Sequence, residues 1–369
     1  MTRGERGNSL KRQLDRWVGC PLIYTLGIFH KPRPCPTNVQ KVGVLMFGAI
    51  GDALLSSSII HDLKRTYPAA TITAFVSAAN SGIFDLIEGP DAVVTLPLTR
   101  PVNAILILRN CRFDILIDTA QWPRISAILA ALSAARFTIG FNTSGQFRHL
   151  AFDAAAPHSA QCHEIENFRN LLGCLGLTGS VLPRFKRSLF VQAGAEHHPH
   201  YIVLHPWASG YKSHLREWPT DNWIRLAEVA VNLGFRVMIT GGPHDRERSR
   251  SLAAEMAHQS EIDVIAGRAS LADTAVALIN ARAVISVNTG IMHIAALLGT
   301  PTIGLHGPTN PHRWGPIGSN CIVVGPGREH GCAYLNLGFE YPKNAPDCMS
   351  TITVDEVVAH VSKLLGRPH

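Results

Sequence analysis

A short unbroken apolar run, a glycine-bearing turn and a segment of helical spacing recur along this chain, and that succession restricts its fold more than any other feature. Val42-Gly-Val-Leu-Met-Phe47 has the continuous apolarity of a strand buried on both faces of a parallel sheet. Gly48-Ala-Ile-Gly-Asp52 turns the chain, and residues 53–67 have helical spacing before Pro68. The alternation returns at 71–76, 92–96 and 114–118, with a helix-like 125–135. A second series begins near residue 200: strands at 201–205, 236–240, 263–265, 283–287 and 302–306, and helices at 221–233, 246–258, 271–280 and 290–298. Such alternation predicts an α/β chain of two similar doubly wound domains, each a parallel sheet wrapped by helices. Ligands of such sheets bind beyond the carboxyl ends of the strands, so the loops just after strands are where chemistry is expected.

With 46% apolar and 17% charged residues the chain is globular, neither disordered nor fibrous. The net charge of +7 invites a nucleic-acid reading, but its distribution argues against one. Residues 1–41 hold eight Lys/Arg (Arg3, Arg6, Lys11, Arg12, Arg16, Lys31, Arg33, Lys41) against Glu5 and Asp15, and the rest is nearly balanced. The expected organisation is a basic and apolar arm (1–39) ending in the Pro-rich joint Lys31-Pro-Arg-Pro-Cys-Pro36, a first domain (40–190), a second domain (195–350), and a C-terminal helix (351–369) returning to the first domain. The apolar run Trp17 to Phe29 is too short to span a bilayer, and its helical amphipathicity is interrupted by Pro21 and Gly27. It reads either as a short docking helix on a solvated tail or as a contact with an anionic membrane surface through residues 1–35. The eight cysteines are scattered without a CxxC, so reduced thiols and no disulfide framework are expected.

Three loops carry candidate chemistry. In Gly48-Ala-Ile-Gly-Asp52, Gly48 and Gly51 permit a tight turn, and Asp52 has the ordinary role of an N-cap or the additional one of a general base. The loop 205–219 offers Ser209, Lys212 and Arg216, a hydroxyl and two cations suited to a pyrophosphate, or else a solvated loop closed by a structural Trp218-Pro219. Ser286-Val-Asn-Thr-Gly-Ile-Met-His293 runs from strand into helix. There Asn288 or Thr289 can cap, Gly290 lets an anion approach the helix start, and His293 lies in the first turn. Gly241, Gly242 and His244 form a glycine turn able to admit a base or ribose, and His306 to Pro316 is a further candidate wall. No metal set emerges: the densest histidine cluster, His197-His198-Pro-His200, lies in the interdomain join.

In this order and spacing the motifs resemble glycosyltransferase family 9, the heptosyltransferases of the lipopolysaccharide inner core. The resemblance covers roughly residues 40–365. Its residues are Gly51-Asp52 after the first strand, Leu63-Lys-Arg-Thr-Tyr-Pro68, Arg216-Glu-Trp-Pro219, Asn288-Thr-Gly-Ile-Met-His-Ile-Ala-Ala-Leu-Leu-Gly-Thr-Pro301 and Gly307-Pro-Thr. It implies a GT-B fold of two facing Rossmann-like domains, the first taking a glycolipid acceptor and the second a nucleotide sugar. The reaction implied is an inverting, metal-independent transfer from a donor such as ADP-heptose, with no cofactor. Asp52 matches the family's general base, Thr289, Gly290 and His293 its diphosphate turn, and Asn288 stands where the family commonly has an aspartate that meets the donor sugar. Arg216 replaces a usual lysine, leaving Lys212 as the alternative phosphate cation. The enzyme would be cytoplasmic, at the inner face of the inner membrane. The competing readings are a nucleotide-sugar epimerase of the same architecture and a non-catalytic sugar-nucleotide-binding protein. A nicotinamide-dependent dehydrogenase lacks its GxGxxG fingerprint here, and nothing points to nucleic acid.

Overall fold

The structure, a computed structural model, describes residues 9–194, 200–326 and 332–365. Arg3, Arg6, the His197-His198 pair and the last four residues lie outside these ranges. The chain forms two units, Met1–Arg184 and Phe185–His369. The first contains β1 (Lys41–Met46), β2 (Thr71–Val76), β3 (Ala92–Thr95), β4 (Ile115–Asp118), β5 (Phe137–Asn142) and β6 (Ala154–Pro157), all parallel in the order β3-β2-β1-β4-β5-β6. The second contains β7 (Tyr201–His205), β8 (Arg236–Ile239), β9 (Ile262–Val264), β10 (Val284–Val287), β11 (Thr302–Leu305) and β12 (Cys321–Val324), parallel in the order β12-β11-β10-β7-β8-β9. Both sheets thus have the same Rossmann order, and β1 and β7 are each the first strand of their unit. Parallel neighbours require crossover connections, and the handedness of those crossovers wraps the two halves of each sheet on opposite faces. The connections leaving the paired strands β1 and β4 therefore diverge, as do those leaving β7 and β10, and a crevice opens at each switch point. The three loops singled out above follow β1, β7 and β10.

The apolar runs supply the cores as expected, with Val42, Val44, Leu45 and Met46 of β1 all buried. The single helix expected over 53–67 is two helices, Ile50–Ser56 and Ser58–Thr66. The break falls in a serine triplet whose hydroxyls bond back along the helix, Ser57 Oγ to the Leu54 carbonyl (2.7 Å) and Ser58 Oγ to that of Leu55 (2.8 Å). Such back-bonding bends helices.

From Ser9 onward the N-terminal arm is helical and packs on the first unit. Helix Cys20–Phe29 continues without a break from Ser9–Leu14 through a π-helical stretch, Asp15–Gly19, and Pro21 falls just after that wider turn, where the ordinary hydrogen-bond ladder is already interrupted. Gly27 does not break it: a Cβ there would meet Leu150 Cβ at 2.9 Å, so glycine lets the helix lie close against the unit. The Pro-rich joint is tied down as well, Arg33 donating to Asp153 (Nη2 to Oδ2, 2.7 Å) and to the Ala135 carbonyl (2.7 Å).

Two observations bear on the later part of the chain. The boundary between units falls at 184/185, because helix Arg187–Ala193 packs on helix Leu271–Ile279 of the second unit. The C-terminal helix, Val354–Leu365, does not belong to the first unit's core. Its Val357 and Val361 are buried in the second unit's core with Trp218, Trp223 and Ile352. One pair of cysteines departs from the reduced state expected: Cys332 and Cys348 form a disulfide, their Cα atoms 5.9 Å apart. The segment after Cys332 is held beside the β11 loop by Leu335 N–H donating to the Pro308 carbonyl (2.9 Å) and by Arg313 donating to the Asn336 carbonyl.

Val361 is 1% exposed, so Val361→Asp buries a carboxylate in the second unit and costs it on the order of 3 kcal/mol. Hydrogen exchange is expected to show lost protection across β10 to β12 with β1 to β6 unchanged. Equal loss in both units would return the C-terminal helix to a shared role.

Candidate active site

Asp52 sits at the third position of helix Ile50–Ser56, not at the cap. Its Oδ2 reaches back to accept from the Ala49 N–H at 2.7 Å, satisfying one of the unpaired donors of the helix start. The capping role and the cavity-facing role both hold, since Asp52 lines a cavity with Phe47, Thr119, Gln121, Trp122 and Ser126. Gly48 makes room for it: a Cβ at Gly48 would stand 2.5 Å from Asp52 Cβ and 2.6 Å from Oδ2. Gly51 is buried inside the helix.

Residues not singled out in the sequence stiffen this site. Asn80, wholly buried, donates from Nδ2 to the Met46 (2.7 Å) and Gly48 (2.9 Å) carbonyls, tying the β1 loop to the β2 loop. On the other side of the switch point, Arg148 is buried against Asp118 at the end of β4. The same guanidinium donates to the Ala120 carbonyl and, through Nε, to that of Pro123 (3.0 Å), gripping the stretch that lines the cavity opposite Asp52. Asp118 Oδ1 in turn accepts from the Ala120 N–H (2.9 Å). A charge pair so buried holds only because nearly every donor and acceptor is matched. Arg148 lies thirty residues from Asp118 with no motif around it, so no local sequence signal pairs them.

In the second unit the β7 loop is braced rather than loosely solvated. Trp207 Nε1 donates to Ser249 Oγ (2.7 Å), and Arg248 stacks over the Trp207 ring, 4.2 Å from its centre. Arg248 also pairs with Glu217 (2.9 Å) and Asp245, linking the end of the β7 loop to the turn after β8. Trp218 is structural, donating to the Ile352 carbonyl (2.8 Å) and meeting Trp223 edge to face. On this frame Ser209, Lys212 and Arg216 share one loop. Arg216 donates to the Ser209 carbonyl. Lys212 adopts a left-handed backbone (φ 49°), unusual for a side-chain-bearing residue, and its Nζ lies 5.5 Å from the centre of the Tyr341 ring. Burial raises the Tyr341 hydroxyl above its ordinary value, against the pull of Arg216 beside it.

Thr289 is the N-cap of helix Gly290–Leu297, yet no side chain caps that helix, so its first-turn N–H groups are offered to an anion. Asn288 is held by its own N–H to the Leu305 carbonyl (3.2 Å), and His293 is buried one turn on. The glycine turn after β8 has a packing requirement of its own. A Cβ at Gly241 would meet Asp245 Cβ at 2.7 Å and Trp207 Cδ1 at 3.0 Å, whereas at Gly242 the nearest atom is at 3.4 Å and His244 is exposed. His205, closing β7, is buried with Nδ1 2.9 Å from Thr240 Oγ1. Burial pulls it down to about 4 from the ordinary 6.5, with Arg248 acting the same way and Asp245 against them. Among the described residues no three His, Cys, Asp or Glu side chains gather as a metal set.

The model of the family described as glycosyltransferase family 9 (heptosyltransferase) matches residues 105–334. Lipopolysaccharide heptosyltransferase 1 of Escherichia coli O18:K1:H7 is 35% identical over 79% of this chain and 93% of its own length. The protein of the same name from Salmonella typhimurium is 36% identical over 76% and 92%. Among solved structures, ADP-heptose lipopolysaccharide heptosyltransferase II of E. coli superposes with a TM-score of 0.72 at 19% identity, covering 88% of this chain and 98% of that one. That likeness bears on the fold alone.

The neutral His205 predicts an acid-sensitive second unit. Between pH 6.5 and about 4 the unfolded chain binds a proton the folded one does not, so the stability present above pH 6.5 declines as pH falls, by at most about 1.4 kcal/mol per pH unit. Thermal unfolding of His205→Gln is expected to vary less with pH across that window than wild type. An unchanged slope would assign the acid sensitivity elsewhere.

Proposed function

The chain belongs to glycosyltransferase family 9, the heptosyltransferases, and from that membership we propose that it moves heptose from ADP-heptose to the core of a lipopolysaccharide-type glycolipid. The observation that carries the assignment of roles is that Asp52 in the first unit, and Ser209, Lys212, Arg216, Thr289 and Gly290 in the second, follow the strands at their unit's switch point. The first unit takes the acceptor and the second the donor.

In the proposed reaction the Asp52 carboxylate removes the proton from an acceptor hydroxyl as that oxygen attacks the anomeric carbon of the donor sugar. The bond from that carbon to the diphosphate oxygen breaks, its electron pair leaves with ADP, and a single displacement inverts the anomeric configuration. Negative charge grows on the departing diphosphate. Arg216 and Lys212 meet it with full charges, Ser209 and Thr289 with hydroxyls, and the uncapped helix start at Gly290 with backbone N–H groups. With the charge met in this way the transfer needs no metal and no cofactor. His293 stands within the same first turn, Asn288 meets donor-sugar hydroxyls as both donor and acceptor, and the turn at Gly242 and His244 receives the nucleoside. The acceptor being lipid-anchored, the enzyme works on the cytoplasmic side of a membrane surface.

Transfer from ADP-heptose to a truncated core glycolipid, followed by mass spectrometry, is expected to persist in EDTA. Asp52→Asn should lower kcat by about 10²- to 10⁴-fold with donor affinity within twofold of wild type, and full activity in that variant would remove Asp52 from the chemistry. Gly48→Ala tests placement rather than identity. Its Cβ collides with Asp52, so a kcat loss of about 10²-fold is expected with the fold and donor affinity kept, and activity within twofold of wild type would show that the position of Asp52 is not critical.

A further inference from the structure

The arm that docks on the first unit is apolar on both sides. Its inner face runs through Asp15, Gly19, Ile23 and Gly27, each four residues from the last, and Ile23 is wholly buried. Its outer face carries Leu14, Trp17, Val18, Leu22, Ile28 and Phe29, with Trp17 75% exposed, Ile28 78% and Phe29 81%. Gln13 and Arg16 are exposed at the start of this stretch, and after Trp17 the exposed polar side chain is Thr25, which bonds back to the Pro21 carbonyl of its own helix. A helix apolar all round belongs inside something, and here one side is covered by protein and the other is not. Among the described residues no helix is long and apolar enough to cross a membrane.

We propose that this outer face is the surface by which the protein lies on an anionic lipid bilayer, Trp17, Ile28 and Phe29 entering the boundary between headgroups and acyl chains. Charge selects that occupant. Residues 1–41 carry eight Lys/Arg against Glu5 and Asp15; Asp15 is committed to Arg124, Arg33 to Asp153, and Lys41 belongs to β1, while Arg16 and Lys31 flank the apolar face in exposed positions. Each basic residue near an anionic leaflet contributes roughly 1 kcal/mol, whereas two copies joined through this face would bring two basic arms together.

The docking is joined to the acceptor site. Asp15 Oδ1 accepts from the Arg124 N–H (2.6 Å) and Oδ2 from its guanidinium (2.7 Å). The arm therefore caps helix Arg124–Leu132, which directly follows the Thr119–Trp122 stretch lining the Asp52 cavity. A bilayer held against Trp17 and Phe29 thus has a fixed relation to that cavity. The inference rests on a lipid-anchored acceptor for its purpose, but not for its test.

Full-length wild type and the triple variant Trp17→Glu/Ile28→Glu/Phe29→Glu, changed only at exposed positions, are sedimented with vesicles of phosphatidylglycerol and phosphatidylethanolamine and with phosphatidylcholine alone. Wild type is expected to bind the anionic vesicles, less so at high salt. The triple variant should lose at least tenfold in partition while transferring heptose to a water-soluble, deacylated acceptor at the wild-type rate. Partition of the variant within twofold of wild type, or no sedimentation of wild type, overturns the surface. So does a wild-type dimer that the variant dissociates without any vesicle binding, which would place a second copy on this face. Absence of transfer by wild type to the soluble acceptor would count against the heptosyltransferase reading, with the partition data still deciding the surface.

Discussion

Everything functional in this protein depends on one constraint of parallel sheets: neighbouring strands cannot be joined by a hairpin. Each strand must be followed by a crossover, and in a sheet grown outward from its first strand the crossovers change face beside that strand. The chain meets this constraint twice with the same order, and each time the first strand and its switch partner, β1 with β4 and β7 with β10, send their loops apart. Backbone at these points is free to serve a ligand because the sheet no longer needs it. Glycine at 48 and 290 and short polar residues at 288 and 289 then become useful rather than disruptive.

A loop freed from the sheet is also free to wander, and much of the polar burial in the molecule opposes that. In the first unit Asn80 holds the β1 loop by two carbonyls, and Arg148, paired with Asp118, holds two more in the loop after β4. In the second, Glu217, Asp245 and Arg248 brace the β7 loop against the β8 turn beneath Trp207. These groups are positioned by the fold and in turn position the groups proposed to meet substrate, which is the division of labour a preorganised site requires.

How much of this was legible follows the same physics. Strands β1 and β7 were readable as short apolar runs closed by Gly48 and Pro206, β2 by its alternation of threonine with apolar residues, and the loops by their glycines and hydroxyls after those runs. Strands β5, β6 and β12 were not: Phe137-Thr-Ile-Gly-Phe-Asn142 interleaves polar residues and glycine, and Ala154-Ala-Ala-Pro157 has no strand preference of its own. Tertiary pairing makes them strands. The Arg148–Asp118 pair, the Cys332–Cys348 bridge and the contact of Lys212 with Tyr341 join residues far apart in sequence and leave no local pattern. Pro21 and Gly27 were legible as residues but misleading as breakers, since one follows a π-helical stretch that the helix runs through and the other lies at a close contact with Leu150.

The central claim is that the nucleotide sugar is held by the loops at the second unit's switch point. Hydrogen exchange of the whole protein with and without ADP-heptose, and no acceptor, tests it most directly. The account predicts slowed exchange in the loop after His205, through Arg216, and at the start of helix Gly290–Leu297, with the edge strands β9 and β12 unaffected. Protection confined to the Gly48–Asp52 turn, or spread over β9 and β12 while those loops exchange freely, would contradict it.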